Sequence, residues 1–247
     1  MRRWIPRICL VLLVAGTWVV TTRAQAEGRG NARAGDGVGH TVVVSGQVSI
    51  QERPGEPTED LGNVVVYLEP ATASTPRPSG VTSPTNTVMT LQSRQFSPRV
   101  RVVVAGSTIE FPNNDPFSHN VFSKQNGGFD TGVYGRGKSR DQTFEEPGVY
   151  PLYCNVHPRM TAFVITLKTA LYTQAGADGR FVLPDVPPGR YRMTAWHDRA
   201  TTQTRDIAVP AGGLTNVRVE LDARGYKYVQ HKNKSGKAYA ANGDIYR

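Results

Sequence analysis

The sequence predicts an all-β protein built as a sandwich or barrel. Three observations carry that expectation. Short runs rich in β-branched and aromatic residues recur from Thr41 onward: TVVVSGQVSI, NVVVYLEP, VRVVVAGSTIEF, TAFVITLK, GRFVLP, GRYRMTAW and TNVRVEL. Clusters of Gly, Pro, Asn or Asp separate these runs. No stretch sustains the 3.6-residue period of an amphipathic helix. Many short strands divided by turn signals are the pattern of antiparallel sandwiches. Residues 41–222 hold enough of this material for one large sandwich or two small ones.

The elements follow in order. Arg2, Arg3 and Arg7 precede an apolar run from Leu10 to Val20, and Ala24-Gln25-Ala26 supplies a small-x-small site. That layout predicts a cleavable secretory signal over residues 1–26, hence export to the periplasm. The apolar run is too short to cross a bilayer, which takes about 20 residues. Nothing after the signal is expected to span a membrane. Residues 27–39, EGRGNARAGDGVG, have almost nothing to bury and read as a flexible leader. The stretch EPATASTPRPSGVTSPTN breaks the strand pattern and places a linker or long loop at 72–85. The tail, 223–247, is polar and has no apolar face; it is expected to be disordered or laid along the surface.

Formal charge is +9, which at first suggests nucleic acid or membrane. Its distribution argues otherwise. Four arginines of the signal and six Lys or Arg of the tail against one Asp carry the whole excess, and Glu27 to Asp222 is neutral. No basic patch on the folded body, and so no nucleic acid partner, is expected. The tail leaves open an acidic partner or surface.

Of the two cysteines, Cys9 belongs to the signal, so the mature chain holds Cys154 alone. An exported protein with one thiol has it reactive, paired between chains or bound to metal. Cys154 lies in VYPLYCNVHPRM. Strand alternation puts Tyr150, Leu152 and Cys154 on the core-facing side just where the strand gives way to a loop. His157 and Met160 follow inside that loop. Pro151 cannot donate to a ladder, which points to an edge or bulge. Upstream, FPNNDPFSHNVFS starts a further β-type run at His119. Two imidazoles, a thiolate and a thioether make the soft donor set of blue-copper electron-transfer sites. Structural zinc is the competing metal, but a thioether suits it poorly and no second cysteine is present.

From Thr87 to Lys168 the sequence resembles the cupredoxins, those of the amicyanin and plastocyanin type above all. FSPRVRVVVAGSTIEFPNNDPFSHNVFS is similar to their segment leading to a His-Asn-Val. FEEPGVYPLYCNVHPRM is similar to the stretch carrying their other three ligands, with the short Cys-x-x-His-x-x-Met loop. The resemblance implies a Greek-key β-sandwich over residues 86–169 and one type 1 copper ion held by His119, Cys154, His157 and Met160. It implies that Asn120 ties the two ligand loops together. Where the family often has proline before the second histidine, this chain has Val156, whose N–H is expected to point at the Cys154 sulfur and favour Cu(I).

ADGRFVLPDVPPGRYRMTAWHDR has a different character. Asp178-Gly179 and Pro187-Pro188-Gly189 are turn signals, and a hairpin is expected between them. With SGQVSIQERPGEPTEDLGNVVVYLEP it resembles the carboxypeptidase regulatory-like (transthyretin-like) sandwiches. That implies a second small β-sandwich made of 40–71 and 172–222, with the cupredoxin inserted in it. The alternative gives Thr41 to Pro70 to the cupredoxin as extra strands. His197 is expected to be structural or at the surface.

The functional expectation is an exported, non-enzymatic carrier of single electrons. It would meet donor and acceptor redox proteins transiently through a small patch of Pro116, Phe117 and Pro158 around the His157 edge. The competing expectation is a copper-binding or cell-surface module that passes no electrons. A copper enzyme would need further histidine clusters, and His40, His197 and His231 are dispersed.

Overall fold

The computed structural model describes residues 40–72 and 87–239. The expected signal at 1–26, the leader at 27–39 and nearly all of the linker at 72–85 lie outside these residues. Among the described residues there is no α-helix, and none long and apolar enough to cross a membrane.

Seventeen strands follow in chain order among the described residues. Two come first, β1 (Val42–Gln51) and β2 (Val65–Pro70), separated by a short 3-10 turn at Leu61–Asn63. The middle of the chain forms β3 (Thr87–Val88), β4 (Thr90–Gln92), β5 (Gln95–Ser97), β6 (Val100–Val104), β7 (Ser107–Glu110), β8 (Phe122–Ser123), β9 (Phe129–Asp130), β10 (Asp141–Phe144), β11 (Gly148–Tyr153) and β12 (Thr161–Leu167). Five more close the chain: β13 (Tyr172–Gln174), β14 (Arg180–Val186), β15 (Gly189–Trp196), β16 (Gln203–Val209) and β17 (Leu214–Asp222).

The first two strands pair with the last five. β1 lies between β14, antiparallel, and β17, parallel, while β2 lies between β13 and β15, with β16 outside β15. Alternation explains this sandwich. Val44, Val48 and Ile50 of β1, Phe181 and Leu183 of β14, and Val217, Val219 and Leu221 of β17 are buried. They share one core with Val66 and Leu68 of β2 and Tyr191 and Met193 of β15. Gly46 is required here: a Cβ would stand 1.9 Å from the Val217 carbonyl oxygen.

The expected hairpin across Pro187-Pro188-Gly189 does not form. β14 pairs with β1, and β15 with β2 and β16, so the turn carries the chain from one sheet to the other. Two consecutive prolines supply no N–H to close a tight hairpin ladder, and they suit a crossing instead.

The middle of the chain builds its own sandwich. A five-stranded sheet, β6-β12-β11-β8-β9, is accompanied by a three-stranded sheet, β10-β7-β3, and the β4-β5 hairpin. Met89, Leu91, Ile109, Phe111, Leu152 and Val164 fill its core together with Cys154 and Met160. Strand β12 is buried on both faces. Ala162 and Val164 enter this core, whereas Ile165 and Leu167 join Val100, Val102 and Val65 in a separate apolar layer. Alternate residues of β2 divide the same way, Val65 to that layer and Val66 to the other core. The layer thus mates the outer face of the five-stranded sheet to the second sandwich, which is why these strands read as continuous apolar runs. At its margin Arg99 makes a two-pronged ion pair with the nearly buried Asp198, at 2.9 and 2.7 Å. His197, beside it, is buried and accepts from the Arg199 N–H.

Pro151 sits where its missing N–H costs nothing. β11 pairs with β12 along its length, but β8 meets it only at Tyr153. The tail, from Arg224 to Tyr239, lies against the flank of the five-stranded sheet, and its His231 stacks on Tyr153.

Candidate metal centre

Three chain segments bring the donors together. β11 ends at Tyr153 and Cys154 follows directly, facing inward and without exposure. A tight turn comes next, closed by Met160 N–H to His157 C=O at 3.0 Å and Cys154 N–H to Met160 C=O at 3.3 Å. His119 is fixed by a two-way backbone bridge to Tyr134, at 3.0 and 2.8 Å. The loop leading to it is braced by buried Asn113, whose amide donates to the carbonyls of Phe117 and Tyr134.

Ligand atoms of His119, Cys154 and His157 all lie within 4.8 Å of one another. The Cys154 Sγ is 3.7 Å from His119 Nδ1 and 3.6 Å from His157 Nδ1. These separations test the fit. With metal–nitrogen and metal–sulfur bonds of about 2.05 and 2.3 Å, the lengths typical of zinc, a tetrahedral angle puts S and N about 3.6 Å apart and a trigonal one about 3.8 Å. The observed pair fits one small metal ion. Met160 is buried in the same core as Cys154. A single thiolate with two imidazoles and a nearby thioether suits copper better than zinc.

Asp115, which sequence reasoning missed, orients His119. Its Oδ2 accepts from His119 Nε2 at 2.8 Å. An ionised carboxylate only accepts, so the ring proton is on Nε2 and the Nδ1 lone pair faces the sulfur. The carboxylate also takes the backbone N–H groups of Ser93 and Arg94, at 2.6 and 2.8 Å. Both residues sit in the left-handed region, at φ 55° and 57°, in the β4-β5 turn. Burial pushes Asp115 up, yet the bonds from Arg94, His119 and Ser93 outweigh it and hold the carboxyl below its usual range. Burial pushes His119 down, against the pull of Asp115. The one available signal was an acid four residues before a histidine in NNDPFSH.

Asn120 joins the loops that carry His119 and Cys154. Its Oδ1 accepts the Asn155 N–H at 2.7 Å, and its Nδ2 donates to Asp130 at 2.9 Å. Burial pushes the Cys154 thiol up, while the backbone N–H groups of Asn120, Val156 and His157 act on the sulfur in the opposite sense. A buried thiol whose sulfur is approached by backbone donors is prepared to be a thiolate once a cation shares the site.

Residues 85–168 match the family described as copper binding proteins, plastocyanin/azurin family. This part of the chain is similar to the cupredoxins. Residues 160–222 match the carboxypeptidase regulatory-like domain, to whose sandwich the structure adds β1 and β2. No curated protein matches the chain. Similar solved structures include a purple cupredoxin from Nitrosopumilus maritimus, 24% identical over 33% of this chain and 99% of its own, with a TM-score of 0.30. Amicyanin from Paracoccus versutus is 21% identical over 41% of this chain and 98% of its own, TM-score 0.32. A copper-containing nitrite reductase from Thermus scotoductus is 20% identical over 49% of this chain and 28% of its own, TM-score 0.33.

The surface nearest the site carries apolar side chains with a guanidinium beside them. His157 keeps 5% exposure and His119 none, so the His157 edge is the one that approaches solvent. Phe117 meets that ring edge-on at 6.4 Å. Pro116 is exposed and Pro158 half-buried, and the Arg94 guanidinium covers the Phe117 ring at 4.6 Å. His40 and His231 lie away from the cluster, on Ala211 and Tyr153 respectively.

Proposed function

We propose that this chain is an exported type 1 copper protein that passes single electrons between redox proteins. The observation that carries the reading is the buried His119–Cys154–His157 cluster, with both Nδ1 atoms turned to one sulfur. His119, Cys154 and His157 would hold one copper ion, with Met160 as the weak fourth donor. Bound copper supplies a one-electron couple, Cu(I)/Cu(II).

The chain's own residues supply the rest. Asp115 fixes the His119 ring, and Asn120 and the loop N–H groups fix the sulfur, so the donors have little to rearrange between oxidation states. Burial excludes water and protons from the sulfur. His157 is the route to the surface, and Pro116, Phe117 and Pro158 form a docking patch small enough for a transient redox encounter. Export is supported by the Arg-rich, apolar, Ala-x-Ala opening and by a lone thiol reserved for metal.

The test is the visible spectrum of the protein with Cu(II), beside a Cys154→Ser control, followed by reduction with a small redox protein. An intense thiolate-to-copper band lost in the control, with reversible reduction, is expected. A band that cycles with no protein partner favours a copper-binding module, and no Cys154-dependent band removes the copper reading.

A further inference from the structure

The tail is tied to the metal loop at several points. His231 stacks on Tyr153 at 4.4 Å with a 28° tilt, and meets Phe122 edge-on. Lys124 donates to the Asn233 carbonyl at 3.1 Å. A turn then follows, held by Lys237 N–H to the Asn233 side chain and by Asn233 N–H to the Lys237 carbonyl. From that turn two residues reach the site. The Lys234 N–H donates to Asn155 Oδ1 at 2.9 Å, and its Nζ pairs with Asp130 Oδ2 at 2.7 Å. The Tyr239 hydroxyl donates to the Cys154 carbonyl at 2.8 Å.

These bonds close a ring. Asn155 donates to Asn120, Asn120 to Asp130, and Lys234 to both Asp130 and Asn155. Three segments distant in sequence are joined: the loop after His119, the loop after Cys154, and the tail. Without Lys234 the ring is an open chain, and without Tyr239 the Cys154 carbonyl loses its partner from the tail.

We infer that residues 226–239 are a strap that positions the Cys154 loop for metal, with Lys234 and Tyr239 as its positioning residues. The inference rests on the copper reading for its purpose. Its geometric part, the bracing of residues 154–160, stands without metal. A ligand loop that is ordered before binding does not have to be ordered at the moment of binding, so affinity gains. Partners that hold a ligating side chain from behind typically matter 10- to 100-fold in metal affinity. Of the basic side chains in the tail, Lys234 is the one that acts on the ring.

The experiment uses the full chain with Tyr239→Phe and Lys234→Met, singly and together. Tyr239→Phe removes only the hydroxyl, and Lys234→Met keeps the stem and the backbone N–H. Three quantities are measured: amide hydrogen exchange of residues 154–160 in copper-free protein, Cu(II) affinity by chelator competition, and the melting temperature. The expected result is lost protection at Cys154 and Asn155 and copper affinity about tenfold weaker in the double variant. The melting temperature should move little. Unchanged exchange overturns the strap. Faster exchange with unchanged affinity overturns its positioning role and leaves a cover over Tyr153. If wild type itself binds no copper, the copper reading fails, and exchange alone decides whether the loop is braced.

Discussion

The carboxylate of Asp115 accepts from His119 Nε2 at 2.8 Å while holding two backbone N–H groups of a left-handed turn. One side chain therefore fixes the His119 ring and the strained turn beneath it. Strain of that kind persists only where its surroundings over-determine it. In Asp115→Asn one oxygen becomes an NH2 group facing either a backbone donor or the ring donor. Copper affinity should fall roughly 10- to 100-fold, and stability by about 1–3 kcal/mol for the unmatched buried group. Chelator competition and thermal unfolding measure the two. Undiminished affinity would show that the ring is oriented without Asp115.

Val156 gives the sulfur a backbone donor that proline lacks. A hydrogen bond to the thiolate draws electron density from it and favours the reduced metal. Val156→Pro should lower the reduction potential, by no more than the roughly 1.5–3 kcal/mol that a bond to a charged group is worth. Redox titration of both proteins decides, and a potential unchanged or raised in the variant counts against it.

Asp130 links the tail to the ligand loops, and its titration should be visible in stability. Burial pushes its carboxyl up, but Lys234, Asn120 and the Gly132 N–H outweigh this and hold it below the ordinary value of 3.8. The folded pKa lies under the unfolded one. Its contribution is therefore complete above 3.8 and is lost as pH falls through the folded value. The stability gap between wild type and Asp130→Asn should be flat above about pH 5 and shrink below pH 3.8. Both residues are part-exposed, so salt should narrow the gap. A gap that widens on acidification would reverse the assigned sign.

The strands and the gathering of His119, Cys154 and His157 were legible because both are written in local chemistry. Period-2 burial marks Val44, Val48 and Ile50 directly, and the spacing of Cys154, His157 and Met160 fits a single turn. What escaped was long-range. Whether β15 follows β14 in one sheet depends on β1 and β2, more than a hundred residues upstream, so the expected hairpin was a crossing. The role of Asp115 depends on an inward aim that its sequence position does not disclose. The tail gave no pattern at all, because Lys234 and Tyr239 act through polar contacts to a surface built by other strands. An apolar face would have announced a docked segment; single hydrogen bonds do not.

Each sandwich carries the same four-residue device. Pro147-Gly148-Val149-Tyr150 and Pro188-Gly189-Arg190-Tyr191 both start a strand with a tyrosine whose hydroxyl reaches back four residues. Tyr150 donates to the Glu146 carbonyl at 2.8 Å, and Tyr191 to the Pro187 carbonyl at 2.7 Å. Such corners pin the entry of a strand to the turn before it. Their surroundings differ, since Tyr191 has no exposure and Tyr150 keeps 5%. Removing the Tyr191 hydroxyl strands a buried acceptor, which costs about 1–3 kcal/mol; at Tyr150 water can replace the lost donor, and about 0.5–1.5 kcal/mol is expected. Tyr191→Phe should therefore lower the melting temperature more than Tyr150→Phe, by roughly 2–4 °C for each kcal/mol of difference. Tyr150→Phe should leave copper binding intact, because its hydroxyl touches the turn and not the ligand loop. The reverse order of melting temperatures would mean that solvent access does not set the cost of these corners.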